Sequence, residues 1–316
     1  MTVLADTQHF AGSPEWTWYI LFYFFLAGLA GGSYFLATLL RYWGRPADEP
    51  VARLGFYVAF AAAVICPLLL TLDLTKPLRF WHMLVNTTPG DGGLNFKSES
   101  PMSVGVWALL VFSSFVVVSF VDALVRDGRI RLPLARRLSA LLEGRVGQVW
   151  HVVGAVFGLF IAGYTGVLLA VSNQPVWSDS WALGGLFLAS GLTGSAALLL
   201  LLTHYRRDAA DSSRGILEIG GRLFAALEVL LLVMFVLTLI QDAALDEAFG
   251  MPWILLWLVA VAGMLPGVGG LVIGRLRTTP GRAVAAARVP AWVVASTLVL
   301  VGVLALRAAV IFSGQG

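Results

Sequence analysis

Glu228 is the residue of this sequence that its surroundings accommodate least easily. It lies mid-way through an apolar run at 216–241, with no Lys or Arg within one helical turn. At 1.5 Å per residue it is about 18 Å from either end. A charge at a bilayer centre costs roughly 2.5–3.5 kcal/mol on insertion scales. The carboxyl is therefore protonated, paired across helices or facing water. Its two readings are a proton relay and a neutral acid hydrogen-bonded inside a helix bundle. Tyr23 and Tyr164 sit at similar depth in two other apolar runs. Tyr23 is seven residues past Trp16, about 10 Å in, which is deeper than an aromatic anchor at the membrane surface. Two such phenols would hydrogen-bond the carbonyls of a flat quinone ring, or each would simply pack. Arg307, in the outer third of the last run, either snorkels outward or pairs with an acid such as Asp73. That gives an outer electrostatic site or a structural ion pair.

The segment from Asp73 to Pro101 holds Arg79, Phe80, Trp81, His82 and Phe96 around a Pro89-Gly90-Asp91-Gly92-Gly93 turn. An aromatic loop of that kind caps a pocket or docks a partner. His82 and Asp73 are its proton-exchanging groups, since His titrates near neutral pH. His9 falls in the N-terminal tail, and His151 and His204 near the opposite ends of their runs. The last two would ligate one haem or serve as interfacial histidines. Cys66 is the single cysteine, so no intrachain disulfide, iron–sulfur cluster or c-type haem attachment is expected, and no metal site.

These groups need helices to position them. Hydrophobic residues make up 59% of the 316 and charged residues 12%, about half the charged share of a soluble domain. The apolar residues gather into eight stretches of membrane-spanning length, at 16–40, 54–74, 102–124, 148–171, 181–204, 216–241, 252–273 and 290–312. They lack the period-two alternation of a β-barrel. Seventeen of the 21 Lys and Arg fall in alternate connections, from Arg41, Arg45 and Arg53 to Arg275, Arg277, Arg282 and Arg288. The opposite side has Lys76, Arg79 and Lys97. Positive residues stay inside, so both termini are expected outside. The basic balance belongs to these loops and not to nucleic-acid binding. Asp6 and Glu15 precede the first apolar run, which does not resemble a signal peptide.

Gly28-Leu29-Ala30-Gly31 matches Gly191-Leu192-Thr193-Gly194 at an offset near half the chain. The expected organisation is an outer tail at 1–15, a first four-helix half at 16–172 with a long outer loop at 75–101, and a second half at 173–316. Small residues at four-residue spacing, such as Gly28 and Gly32, Gly154 and Gly158, and Gly263 and Gly267, let helices approach closely.

The run Asp73-Leu74-Thr75-Lys76-Pro77-Leu78-Arg79-Phe80-Trp81-His82, followed by Ser100-Pro101-Met102-Ser103-Val104-Gly105-Val106-Trp107, resembles the signature of NrfD/polysulfide-reductase membrane subunits. So do Phe25 to Gly32, Tyr164-Thr165-Gly166 with Asn173 and Pro175, and Arg307 with the Ser313-Gly314-Gln315 ending. The sequence departs from that pattern at Tyr23, where some members carry a histidine, and at Lys76, where a Gly-Arg pair is common. The resemblance implies an anchor of eight transmembrane helices in two four-helix bundles, which binds menaquinone or ubiquinone near the outer leaflet. Implied partners are a ferredoxin-like iron–sulfur subunit with 4Fe–4S clusters and a molybdopterin catalytic subunit or a multihaem cytochrome. It carries Asp73, Arg79, His82 and Tyr164 as site residues, in a multi-pass protein of a prokaryotic cell membrane.

The expected function is a quinone-reactive oxidoreductase subunit in which Tyr23, Tyr164 and His82 position the ring and Asp73 and His82 exchange protons. Glu228 would extend it to proton translocation. Two other readings are a proton-coupled secondary transporter, with Pro67 and Pro266 marking broken helices, and a passive structural anchor.

Overall fold

The computed structural model describes residues 15–87, 92–206, 208–242, 244–273 and 290–315. His9, Asp6, Arg207, Arg275, Arg277, Arg282, Arg288 and the turn residues Pro89-Gly90-Asp91 lie outside the described residues.

Apolar runs without water around them must pair their own backbone groups, and helices do so locally. The chain forms α1 (Trp18–Trp43), α2 (Glu49–Asp73), α3 (Pro101–Arg126), α4 (Pro133–Leu141), α5 (Gly144–Ala170), α6 (Leu183–Thr203), α7 (Asp211–Gln241), α8 (Leu245–Phe249), α9 (Trp253–Ile273) and α10 (Ala291–Ser313). Among the described residues seven helices are long and apolar enough to cross a membrane: α1, α2 with the 3-10 turn before it, α3, α5, α6, α7 and α10. An eighth apolar helix, α9, packs against α7 and α10. Leu68, Val156, Leu230 and Leu258 lie on the outer surface at more than half exposure. Such faces belong in lipid, and the chain is a multi-pass membrane protein.

Polar ends set where the helices start. Thr17 caps α1, its hydroxyl accepting from the Tyr19 N–H at 3.3 Å. Ser100 caps α3 ahead of Pro101, a proline in the first turn where its missing N–H costs nothing. α2 begins at Glu49, five residues before the apolar run does, because the polar first turn docks on its neighbours. The described part of the loop at 75–101 is more structured than its turn-rich sequence suggests. It holds a 3-10 helix (Pro77–Met83) and a short hairpin, β1 (Val85–Asn86) with β2 (Gly93–Leu94). α2 and α9 run through Pro67 and Pro266 without a break.

α1 is the central helix, packed on α2, α5, α6 and α10. Its glycines make that close packing. A Cβ on Gly28 would come within 3.3 Å of the Gly191 Cα, and one on Gly31 or Gly32 would collide with the Gly158 carbonyl or the Ser195 side chain. The two halves of the matching sequence pattern therefore meet each other, at Gly28 and Gly191. Gly263 and Gly302 form a second such contact between α9 and α10.

At the opposite end of α1 lies an ionic cluster that sequence reasoning missed. Arg41, which the charge pattern assigns to a loop, is a buried helix residue that pairs with Asp122 at 2.7 Å and Glu49 at 2.7 Å. Asp122, fully buried, also takes bonds from Arg126 and Ser139. His151 is fully buried beside them rather than interfacial. Its Nδ1–H donates to the Gly147 carbonyl at 2.6 Å, which leaves Nε2 to accept from Arg41 at 3.2 Å. His204 is held elsewhere, stacked on Trp292 at 3.8 Å.

Candidate functional site

A cavity of about 170 Å³ opens at the loop-bearing end of α1, α2, α3 and α5. Tyr23, Asp73 and Tyr164 all line it, with Trp16, Phe24 and Met102 among its apolar walls. Three of the site residues expected from sequence thus come together, from α1, α2 and the more distant α5.

Each is placed by a specific local feature. Tyr23 follows from the α1 register. Its side chain is 4% exposed, and among the described residues its hydroxyl has no hydrogen-bond partner. It shares the cavity wall with Tyr164. Tyr164 donates its hydroxyl proton to the Pro101 carbonyl at 2.5 Å, in the first turn of α3. Gly105, one turn further on, leaves the room: any Cβ there would collide with the Tyr164 phenol. Asp73 is the last residue of α2 and accepts from the Thr17 hydroxyl at 2.8 Å. That bond ties the cap of α1 to the end of α2 across the cavity mouth.

His82 and Arg79 do not line the cavity. His82 sits in the 3-10 helix, its Nδ1 3.1 Å from the Thr87 hydroxyl and its carbonyl accepting from Asn95. Its neighbour Met83 does line the cavity. Arg79 is exposed on the outer loop. Asn95 pins that loop to α3, its carbonyl taking the Trp107 indole N–H at 3.2 Å.

Arg307 differs from both readings given to it. It neither snorkels nor meets Asp73. The guanidinium is fully buried, and donates to Ser190 Oγ at 2.7 Å, Phe187 O at 3.1 Å, and Phe24 O and Val303 O at 3.3 Å. It lies over the Phe187 ring at 5.1 Å. A Cβ on Gly28 would reach within 2.6 Å of it. Glu228, 1% exposed, faces the Thr193 hydroxyl and feels the charge of Arg307. One of its oxygens, Oε2, has no hydrogen-bond partner among the described residues.

A second cavity, of about 200 Å³, lies between α6, α7, α9 and α10 at the other end of the molecule. Glu218, Arg222 and His204 line one end of it and Thr193 the other. Thr193 therefore stands between this cavity and Glu228.

The first cavity suits a flat apolar ring with polar oxygens. Its walls are aromatic and aliphatic, with one phenol that has no hydrogen-bond partner among the described residues, one phenol oxygen with lone pairs to spare, and one carboxylate. Tyr23, Tyr164 and Asp73 are the residues that would hold a quinone there. Trp16 and Gly105 escaped functional reading in the sequence. In the sequence Gly105 is one residue of the family-like motif and Trp16 marks the start of an apolar run, and neither type carries a chemical signal by itself.

The polysulphide reductase, NrfD, family model matches residues 6–316. The chain is 28% identical to the protein NrfD of Escherichia coli (strain K12), over 96% of both proteins. It is 27% identical to the C polypeptide of the polysulfide reductase of Wolinella succinogenes, over 95% of this protein and 94% of that one. It is 23% identical to the C polypeptide of the selenate reductase of Mesobacillus selenatarsenatis, over 77% of this protein and 63% of that one. With the family model matched along almost its whole length, this chain belongs to the NrfD/polysulphide reductase family.

Proposed function

We propose that the chain is the quinone-reactive membrane subunit of a multisubunit oxidoreductase, with its site in the outer cavity. The observation that carries this is Tyr23, a residue only 4% exposed that lines the cavity beside Tyr164 and Asp73 and whose hydroxyl has no hydrogen-bond partner among the described residues. A ligand oxygen in the cavity would give that hydroxyl a hydrogen bond, worth about 0.5–1.5 kcal/mol. The relatives' names place two of them in a polysulfide reductase and a selenate reductase.

In this reading eight helices cross the membrane as two four-helix bundles, with both termini outside. An iron–sulfur subunit docks over the outer loop near Arg79 and passes electrons between the site and a molybdopterin or multihaem partner. Menaquinone or ubiquinone supplies two-electron, two-proton chemistry when bound. Tyr23 donates a hydrogen bond to one ring oxygen. Tyr164, whose own proton is committed to Pro101, accepts from a ring hydroxyl. Asp73 takes up or releases protons at the mouth, and His82 exchanges them with the outer solvent. The apolar walls exclude water from the ring.

The second cavity supports a coupled extension. It leads from Glu218 and Arg222 to Thr193, and Thr193 faces Glu228. Glu228 would draw its proton from that side.

The test uses the complex purified with its native partners. Menadiol is added and cluster reduction followed by absorbance. Tyr23→Phe and Tyr164→Phe are each expected to slow reduction roughly tenfold, the worth of one hydrogen bond of about 1.4 kcal/mol. Full-rate reduction in both variants, with clusters intact, would remove the cavity from the quinone reaction.

A further inference from the structure

Two stretches of the family-like pattern have no place in the site so far. Asn173 with Pro175, and the Ser313-Gly314-Gln315 ending, line neither cavity. Trp177, just past the first, and two residues of the second, Gly314 and Gln315, meet around Trp16.

Trp177, two residues past Pro175, is fully buried. Its indole stacks on that of Trp16, with ring centres 4.9 Å apart and planes at 26°. Its Nε1–H donates to the Val310 carbonyl of α10 at 2.7 Å. Gly314 lies against the same ring, where any Cβ would collide with Nε1. Gln315 then clasps the Trp16 backbone from both sides. Its Oε1 accepts the Trp16 N–H at 2.7 Å, and its Nε2 donates to the Trp16 carbonyl at 3.3 Å and to Ile311 O at 3.1 Å. Trp16 meets Phe24 edge-on at 5.8 Å, and both line the outer cavity.

The arrangement is held against a local cost. Val176 has φ of 69°, a left-handed conformation that a β-branched residue adopts only when its surroundings over-determine it. Here the Val176 N–H bonds Asp179 Oδ2 at 2.9 Å, and the turn aims Trp177 inward at Trp16. Trp16 itself precedes the helix, so its backbone gains no partners from helix geometry. Gln315 supplies them from 299 residues away.

We infer that Trp16 is a specificity-determining wall of the outer cavity, and that Trp177, Gly314 and Gln315 are positioning residues that fix it from the far end of the chain. This rests on the quinone reading of that cavity. The chemistry favours it: an indole backed by a second indole presents a rigid, polarisable surface to a flat fused ring, at little entropic cost on binding. The ligand class it selects is a naphthoquinone over a smaller benzoquinone, since contact with an aromatic wall grows with ring area.

The test measures binding apart from turnover. The intact complex is titrated calorimetrically with menadione and with a methoxy-benzoquinone of short side chain. Trp16→Leu is expected to weaken menadione binding about tenfold and the benzoquinone less. Trp177→Leu and Gln315→Ala are expected to weaken menadione binding about three- to tenfold, and to raise KM for menadiol at unchanged kcat. Trp177→Phe, which keeps a stacked ring and loses only the bond to Val310, should recover most of the affinity. Should Trp177→Leu fail to assemble, Gln315→Ala and Trp177→Phe carry the same comparison. Menadione affinity unchanged in Trp16→Leu and Gln315→Ala, with the wild type binding saturably, would overturn the brace and leave the quinone site standing. No saturable binding by the wild type would overturn both. Equal losses for the two quinones would overturn the selectivity and leave Trp16 as a wall.

Discussion

Arg307 shows how much of a membrane-buried residue's role lies in partners that have no sequence mark. From the sequence its natural partner was an acid. In the structure its partners are three helix carbonyls and the Ser190 hydroxyl, which are backbone or common side chains that no motif singles out. The guanidinium fork reaches acceptors on α1, α6 and α10 together, and Gly28 gives it the space. A lysine has one compact ammonium and cannot span that set. Arg307→Lys is therefore expected to destabilise the chain by about 2–3 kcal/mol, the worth of a charge-assisted hydrogen bond, read as a lower thermal midpoint in detergent. An unchanged midpoint would mean that the cation, not its geometry, is what α10 contributes. Glu228 was legible for the opposite reason. A lone acid in an apolar run is visible in one dimension, whereas the positive charge that faces it comes from another helix.

At the scale of elements, the site is made where helix ends meet. α3 begins at Pro101, one turn before Gly105, and that turn both accepts the Tyr164 proton and clears room for the ring. Gly105→Ala would put a methyl into the phenol. The ring must leave its bond to Pro101 or the helices must separate, at about 1–3 kcal/mol for overpacking. The expected result is a KM for menadiol raised severalfold with the complex still assembled. A wild-type KM would show that Tyr164 contributes only packing. The sequence located the helices themselves well, because a twenty-residue apolar run has few other fates. Tyr23 and Tyr164 could be grouped from it because depth along a helix is countable, and Asp73 through the loop motif that begins with it. The cluster of Arg41, Asp122 and His151 could not, since Arg41 lies 81 residues from Asp122 and 110 from His151 and each looks alone like an interfacial charge. The fold of the outer loop was equally hidden. It depends on Asn95 bonding both His82 and Trp107, two contacts set by packing rather than by turn-forming residues.

For the whole molecule, the two cavities lie at opposite ends, and different polar groups bound each. Outer chemistry at Tyr23 and Tyr164 and an inner approach to Glu228 would be joined through α1, α6 and α10, where Gly28, Gly191 and Arg307 touch. Thr193 is the point at which the inner route is best examined. Its hydroxyl donates to the Ala189 carbonyl at 3.0 Å, so in that arrangement it can only accept from a protonated Glu228. A charged Glu228 would require the hydroxyl to rotate and donate instead, so its rotation would track the proton. Glu228→Gln keeps the shape and the donor, and removes the titration. In proteoliposomes holding the intact complex, this variant should retain menadiol oxidation within about twofold, because the outer cavity is untouched. Proton uptake from the inner side per quinol should fall to background. Thr193→Val should give a partial loss, since it removes the relay and leaves the acid. Uptake at the wild-type ratio in Glu228→Gln, with the complex assembled, would make Glu228 a structural acid and confine all proton exchange to the outer cavity.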